Sequence, residues 1–159
     1  MPPNADFVQN KVKGAHFFSP SGLSFTVERD EDVACVVDRS IFDRFLARQA
    51  ADAGAEIRLQ SKVKRIRRRN GRIMVEGPWG SLEAGVVVDA EGVASRLVKE
   101  MALTPLRSEG ILPALQFELS DVSVDPAHVE MHLGEKVASN FFAWVIPLSV
   151  KMTKVGLAC

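Results

Sequence analysis

A chain of 159 residues with 47% hydrophobic and 25% charged side chains has the composition of a folded protein that buries a core, which excludes disorder. Twenty basic residues balance twenty acidic ones, so no global field steers the chain toward nucleic acid or an anionic membrane. The longest apolar run, residues 141–148, falls far short of the roughly 18 residues that a spanning helix needs, and the run at 86–88 is shorter still.

The first residues, 1–6, carry neither the basic nor the apolar region of a signal peptide, so a cytoplasmic location with at most peripheral membrane contact is expected. Residues 12–18 and 23–27 read as short strands about a Ser19-Pro20-Ser21-Gly22 turn, and residues 34–37 as a further strand after an acidic loop. The clearest helix follows. Ile41, Phe42, Phe45, Leu46, Ala50 and Ala53 recur at helical spacing, Ser40 with Asp43 resembles a capping box, and Gly54 supplies the stop. Residues 55–59 then look like a strand, which gives the strand–helix–strand order of a doubly wound sheet.

From Ser61 the pattern becomes a three-stranded meander: residues 61–69, an Asn70-Gly71 hairpin turn, residues 72–76, a Gly77-Pro78-Trp79-Gly80 turn, and residues 81–88. The basic run from Lys62 to Arg69 falls on its first strand. With little aromatic interleaving, and with Val63 and Ile66 among the charges, it reads as a solvated hairpin face and not a nucleic-acid patch.

The apolar run Val86, Val87, Val88 suits a strand buried on both faces, and it ends at Asp89-Ala90-Glu91-Gly92, a turn into a helix expected over residues 93–101 and closed by Thr104-Pro105. Open α/β sheets bind ligands just beyond the carboxyl ends of their strands, so Asp89, Glu91 and Gly92 are site candidates. The same residue types also serve plain turn geometry. Beyond residue 108 only strands are expected, over residues 111–119, 129–133, 141–147 and 153–158. The resulting division is a first region, 1–107, and an antiparallel sheet region, 108–159.

Cys35 and Cys159 lie far apart and without ligand spacing, and both read as small apolar residues. Of the three histidines, His16, His128 and His132, the last two would share a helix face, but residues 129–133 alternate like a strand, so no metal site is expected in the chain.

Several features occur in order: Val37-Asp38-Arg39 followed by Phe42-Asp43; Ala53-Gly54-Ala55-Glu56; the meander; residues 88–95; and Phe142-Ala143-Trp144-Val145-Ile146-Pro147 with Val155-Gly156-Leu157. The series resembles the FAD-dependent geranylgeranyl reductases, within the hydroxybenzoate-hydroxylase-like flavoproteins, across roughly residues 11–158. The resemblance implies an α/β mixture: part of a doubly wound FAD-binding domain with the meander, followed by an antiparallel substrate-domain sheet. It implies FAD as cofactor, NADPH or ferredoxin as electron donor, and saturation of carbon–carbon double bonds in a prenyl lipid or pigment.

It further implies cofactor contacts at Arg39, at the backbone of Val63, and at Glu91 and Gly92, where Glu stands in place of the more usual Asp. The family's Tyr-x-Trp-x-Phe-Pro substrate-site pattern falls on Phe142, Trp144, Ile146 and Pro147, with Phe and Ile replacing Tyr and Phe. The family also carries a GxGxxG unit at its beginning, and no such motif occurs in this chain. An internal fragment is therefore expected, paired with a separately encoded flavin-binding segment, inactive alone and binding FAD weakly or not at all. A flavin monooxygenase or halogenase, and a non-catalytic ligand-binding module, are the alternatives.

Overall fold

A computed structural model describes residues 6–159 apart from Ser95, Ala102, Pro105, Leu106, Ser108 and Glu109. The expected helix stop at Pro105 and the expected region boundary near residue 108 fall outside the described residues. The chain forms two compact units, one built from residues up to Gly54 together with Leu112–Cys159, the other from Ala55–Ile111. As expected, the fold is a mixed α/β one. No helix of the described residues is long and apolar enough to cross a membrane.

The first unit begins with β1 (Val8–Val12), β2 (Gly14–Phe18), β3 (Ser24–Glu28), β4 (Ala34–Val37) and α1 (Arg39–Asp52). The cap of α1 is Asp38 and not Ser40: one Asp38 carboxylate oxygen accepts from the Ser40 and Ile41 amides at 2.8 and 3.1 Å. Asp38 wins because its backbone is extended at φ −75°, ψ 108°, which points the carboxylate at the two unpaired donors, whereas Ser40 is already inside the first turn. Phe7 is fully buried against Phe42 and Phe45, with ring centroids 5.0 and 5.2 Å away, and so fastens the helix beside the antiparallel β1–β4 ladder. Leu46, expected on the packed face, is exposed.

After the second unit the chain returns as β8 (Ala114–Ser120), β9 (His128–Leu133), β10 (Phe142–Ser149) and β11 (Met152–Ala158), close to the four strands expected. They join β2 and β3 in a six-stranded sheet of order β3-β2-β9-β10-β11-β8. Every neighbouring pair is antiparallel except β2–β9, which is parallel. The sheet is thus neither wholly antiparallel nor confined to the last 52 residues, since strands from the start of the chain complete it. Its densest packing is at Pro147, Leu148, Thr153 and Ala158, where the fully buried Thr153 hydroxyl donates to the Ile146 carbonyl at 2.9 Å.

The second unit holds the meander of β5 (Arg65–Arg69), β6 (Arg72–Gly77) and β7 (Gly80–Ala84), paired in order and antiparallel throughout. Asn70 and Gly71 both have positive φ, 51° and 75°, as a two-residue hairpin turn of the I′ kind requires. Ile66 is buried while Arg65, Arg67, Arg68 and Arg69 are exposed, so the basic run is a solvated face.

One expected strand does not form and another is shortened: residues 55–59 have no ladder partner among the described residues, and the strand expected over 81–88 ends at Ala84 as β7, which leaves 86–88 without a partner among them. Val86 and Val88 are consequently 80% and 85% exposed rather than buried on both faces. The expected helix over 93–101 is reduced to a 3-10 turn, Gly92–Ala94, and a single α-helical turn, α2 (Leu97–Glu100), which has no side-chain cap from Arg96.

Candidate functional site

In the second unit the turn at residues 89–92 and the approach to β5 come together. A cavity of about 350 Å³ lies between Lys62, Val63 and Ile66 on one side and Val87, Asp89 and Glu91 on the other, with Leu97 and Val75 in its wall. The sequence pattern alone points to Asp89 and Glu91, and the resemblance to Val63. Neither signal reaches Arg96, which organises the place: one Nη donates to the carbonyls of Val63 and Lys64 at 3.1 and 3.0 Å, while the other meets Glu100 at 3.0 Å. Glu100 in turn accepts the Ile66 amide at 3.2 Å, so α2 is tied to β5 by a continuous polar chain. The four-residue spacing of Arg96 and Glu100 is legible as a helical ion pair, but its reach to Val63, over thirty residues away, is not.

The acidic turn is firmly built. Asp89 accepts the Glu91 amide at 2.9 Å, and the Glu91 carboxylate accepts the Leu97 amide at 2.9 Å, doing for α2 what a capping residue does. Gly92 has φ +73°, a backbone state that L side chains resist, and a Cβ added there would meet nothing within 4 Å. The backbone at Gly92 is therefore open to close approach by a ligand, while Glu91 is occupied in holding the turn.

In the first unit Arg39 opens α1, beside the Asp38 cap, and pairs with Asp43 at 3.3 Å in an exposed i,i+4 contact. Such an exposed pair is weak, so the guanidinium is only lightly held. Asp38 itself is held below the usual carboxylate range, first by the Ser40 hydroxyl and then by the Ile41 amide.

The Phe142–Pro147 pattern lies on β10, as expected. Trp144 and Phe142 meet edge to face with centroids 6.1 Å apart, and Met131 stands opposite Trp144 on β9. Gly156 stands opposite it on β11: a Cβ there would sit 2.7 Å from the indole ring and 2.7 Å from the Leu115 carbonyl. Only glycine lets Trp144 lie over that strand. The indole N–H donates to the Gln116 side chain at 3.0 Å, which fixes the ring across β11. Sequence patterning gives Gly156 and Gln116 no site role, because cross-strand register decides it. Pro147 is fully buried in the sheet, so it supports the strand instead of lining an open surface.

Residues 30–137 match the family described as FAD dependent oxidoreductase. The digeranylgeranylglycerophospholipid reductase of Methanothrix thermoacetophila is 32% identical over 98% of this chain, and the match covers 42% of that protein. A geranylgeranyl bacteriochlorophyll reductase-like protein of Thermoplasma acidophilum superimposes with a TM-score of 0.86 at 29% identity, over 98% of this chain and 42% of its own. A halogenase solved with phloroglucinol and FAD gives a TM-score of 0.71 at 16% identity, over 92% of this chain and 35% of its own, a likeness that concerns fold alone. The chain thus spans about two fifths of the length of the curated relatives it matches.

Proposed function

The chain belongs to the FAD dependent oxidoreductase family, and from that premise we propose that it supplies one wall of an FAD site and one wall of a prenyl-chain site in an enzyme that saturates carbon–carbon double bonds. The observation that carries this reading is the 32% identity to a digeranylgeranylglycerophospholipid reductase over 98% of the chain, which takes in both the groove and the Trp144 strand. The groove residues fit the cofactor: Lys62 brings a cation, and Val63, Val87 and Leu97 an apolar wall, while Gly92, next to the lining residue Glu91, presents an unobstructed backbone. Arg39 offers a fork for phosphate oxygens. Bound and reduced, the flavin supplies hydride to the alkene.

This chain's own residues orient and exclude. Arg96 holds the Val63 and Lys64 carbonyls in place, Glu91 keeps the turn closed on α2, and Asp89 fixes the Glu91 amide. Phe142, Trp144 and Ile146 offer an apolar surface to a chain that has almost no polar handles, where burial at about 25 cal/mol per Å² is the available grip. NADPH or ferredoxin is the proposed source of electrons, and a cytoplasmic site with contact limited to the membrane surface suits a lipid substrate. The monooxygenase or halogenase alternative rests on fold-level likeness alone.

Amide resonances of the purified chain, followed during titration with FAD, test the groove. Weak shifts centred on Lys62, Val63 and residues 89–92 are expected, since the groove is smaller than the dinucleotide. Shifts centred elsewhere, or none at millimolar FAD, would overturn it. For the apolar wall, a Trp79→Phe background leaves Trp144 as the sole indole, and geranylgeraniol should quench and blue-shift its emission. An unchanged spectrum refutes that half of the reading.

A further inference from the structure

The parallel junction between β2 and β9 gathers side chains that the flavin site does not use. His128 is 8% exposed, and its Nδ1 lies 2.7 Å from the Asp125 carboxylate. The Nε2 of His16 lies 3.3 Å from the same carboxylate oxygen, and the two imidazole rings are 4.4 Å apart, inclined at 33°. The three donor atoms all fall within 4.8 Å of one another. On the far side of each ring stands an oxygen: Thr26 Oγ1 is 2.7 Å from His16 Nδ1, and Glu28 Oε1 is 3.6 Å from His128 Nε2. The His128 Nε2 is buried and has no hydrogen-bond partner.

We propose that His16, Asp125 and His128 form a site for one zinc-like divalent transition-metal ion that clips the seam between β2 and β9. Two imidazoles and a carboxylate are a donor set for zinc and its neighbours, whereas calcium and magnesium prefer oxygen alone. A tetrahedral zinc holds its donors roughly 3.3 Å apart, so the widest separation, within 4.8 Å, closes by up to about 1.5 Å and the 2.7 Å His128–Asp125 pair opens slightly, adjustments that the partly exposed His16 and Asp125 can supply. The outer oxygens are where second partners of metal-bound histidines stand. A metal on the Nδ1 of His128 requires its proton on Nε2, which faces the Glu28 carboxylate at 3.6 Å. A closing of that gap by a few tenths of an ångström gives the orphaned nitrogen an acceptor. Asp125 is pre-set for the role, because its second oxygen accepts the Ala127 amide at 2.9 Å and fixes the carboxylate.

The clip would reinforce the one parallel seam of the sheet. Among the described residues the β2–β3 hairpin pairs with the rest of the sheet only along β9, in a slanted parallel ladder.

The test is calorimetric titration of the full metal-stripped chain with ZnCl2, with MgCl2 as control. Cys35 and Cys159, both exposed, are first replaced by Ser to remove competing thiolates. One Zn2+ per chain is expected at micromolar or tighter affinity, with a rise in Tm and no response to Mg2+. His16→Gln and Asp125→Asn should each weaken binding at least about tenfold, the Asn keeping an acceptor for the Ala127 amide. Glu28→Gln should weaken it by about tenfold through His128. His132→Gln, which alters the third histidine outside the cluster, should leave it unchanged. Because His128 is buried and its replacement risks misfolding, the variants that decide the matter are those at His16 and Asp125. No saturable Zn2+ binding, or binding indifferent to both His16→Gln and Asp125→Asn, would reduce the cluster to a carboxylate shared by two imidazoles.

Discussion

Asp38 joins local chemistry to acid response. Folding lowers its pKa, chiefly through the Ser40 hydroxyl, so its stabilising contribution is complete above the ordinary carboxylate value of 3.8 and is lost as pH falls through the lower folded value. Asp38→Asn keeps a capping oxygen but cannot titrate. Thermal melts of both forms should therefore show a wild-type advantage at neutral pH that narrows below about pH 4, and a gap constant with pH would reject the assignment. At Gly92, Ala would meet no neighbour but would have to hold φ +73°, a backbone cost of about 1–2 kcal/mol. Urea unfolding monitored at Trp79 should register that loss. The acidic turn and the Trp144 strand are readable from residue types. The shift of the cap from Ser40 to Asp38 is not, because capping depends on which residue still has extended backbone. Nor is the meeting of His16 with His128, which a parallel pairing produces between residues over a hundred positions apart.

Elements stabilised by near neighbours are legible in the sequence, and those needing distant partners are not. The β5–β6–β7 meander and the β10–β11 hairpin close through short turns, and both form close to where the pattern puts them. Residues 86–88 have the composition of a buried strand but no strand beside them among the described residues, and β-propensity without a neighbour makes no ladder. The start of β1 carries no local signal, since Val8, Asn10 and Val12 form a strand only by pairing with β4. The helix α1 has no fully buried residue of its own and relies on Phe7, whose ring touches both Phe42 and Phe45. Phe7→Ala should cost about 3–5 kcal/mol in chemical denaturation, with loss of helical signal at lower denaturant than in the parent. An unchanged midpoint would mean that α1 is held by something else.

For the molecule as a whole, the edge strand β8 matters most. Leu115, Phe117 and Leu119 alternate along one of its faces and are all exposed, Phe117 to 59%. An unpaired edge with an apolar row is a template for association. Sedimentation should show concentration-dependent self-association of the purified chain, reduced in Phe117→Glu; a monomer at all concentrations would contradict this. The family and the mixed α/β class are visible in ordered motifs spread along the sequence, while the interleaving of the first and last strands in one sheet is not, since no local pattern encodes it. That interleaving has a price in time. The β2–β3 hairpin leaves the ribosome about 100 residues before β9 exists, so at ~5–20 residues per second it waits on the order of ten seconds without its neighbour. During that interval the β2 edge that β9 will cover is open to water, and the Phe17 and Phe25 rings, with centroids 4.8 Å apart across β2 and β3, are the packing the hairpin can make by itself.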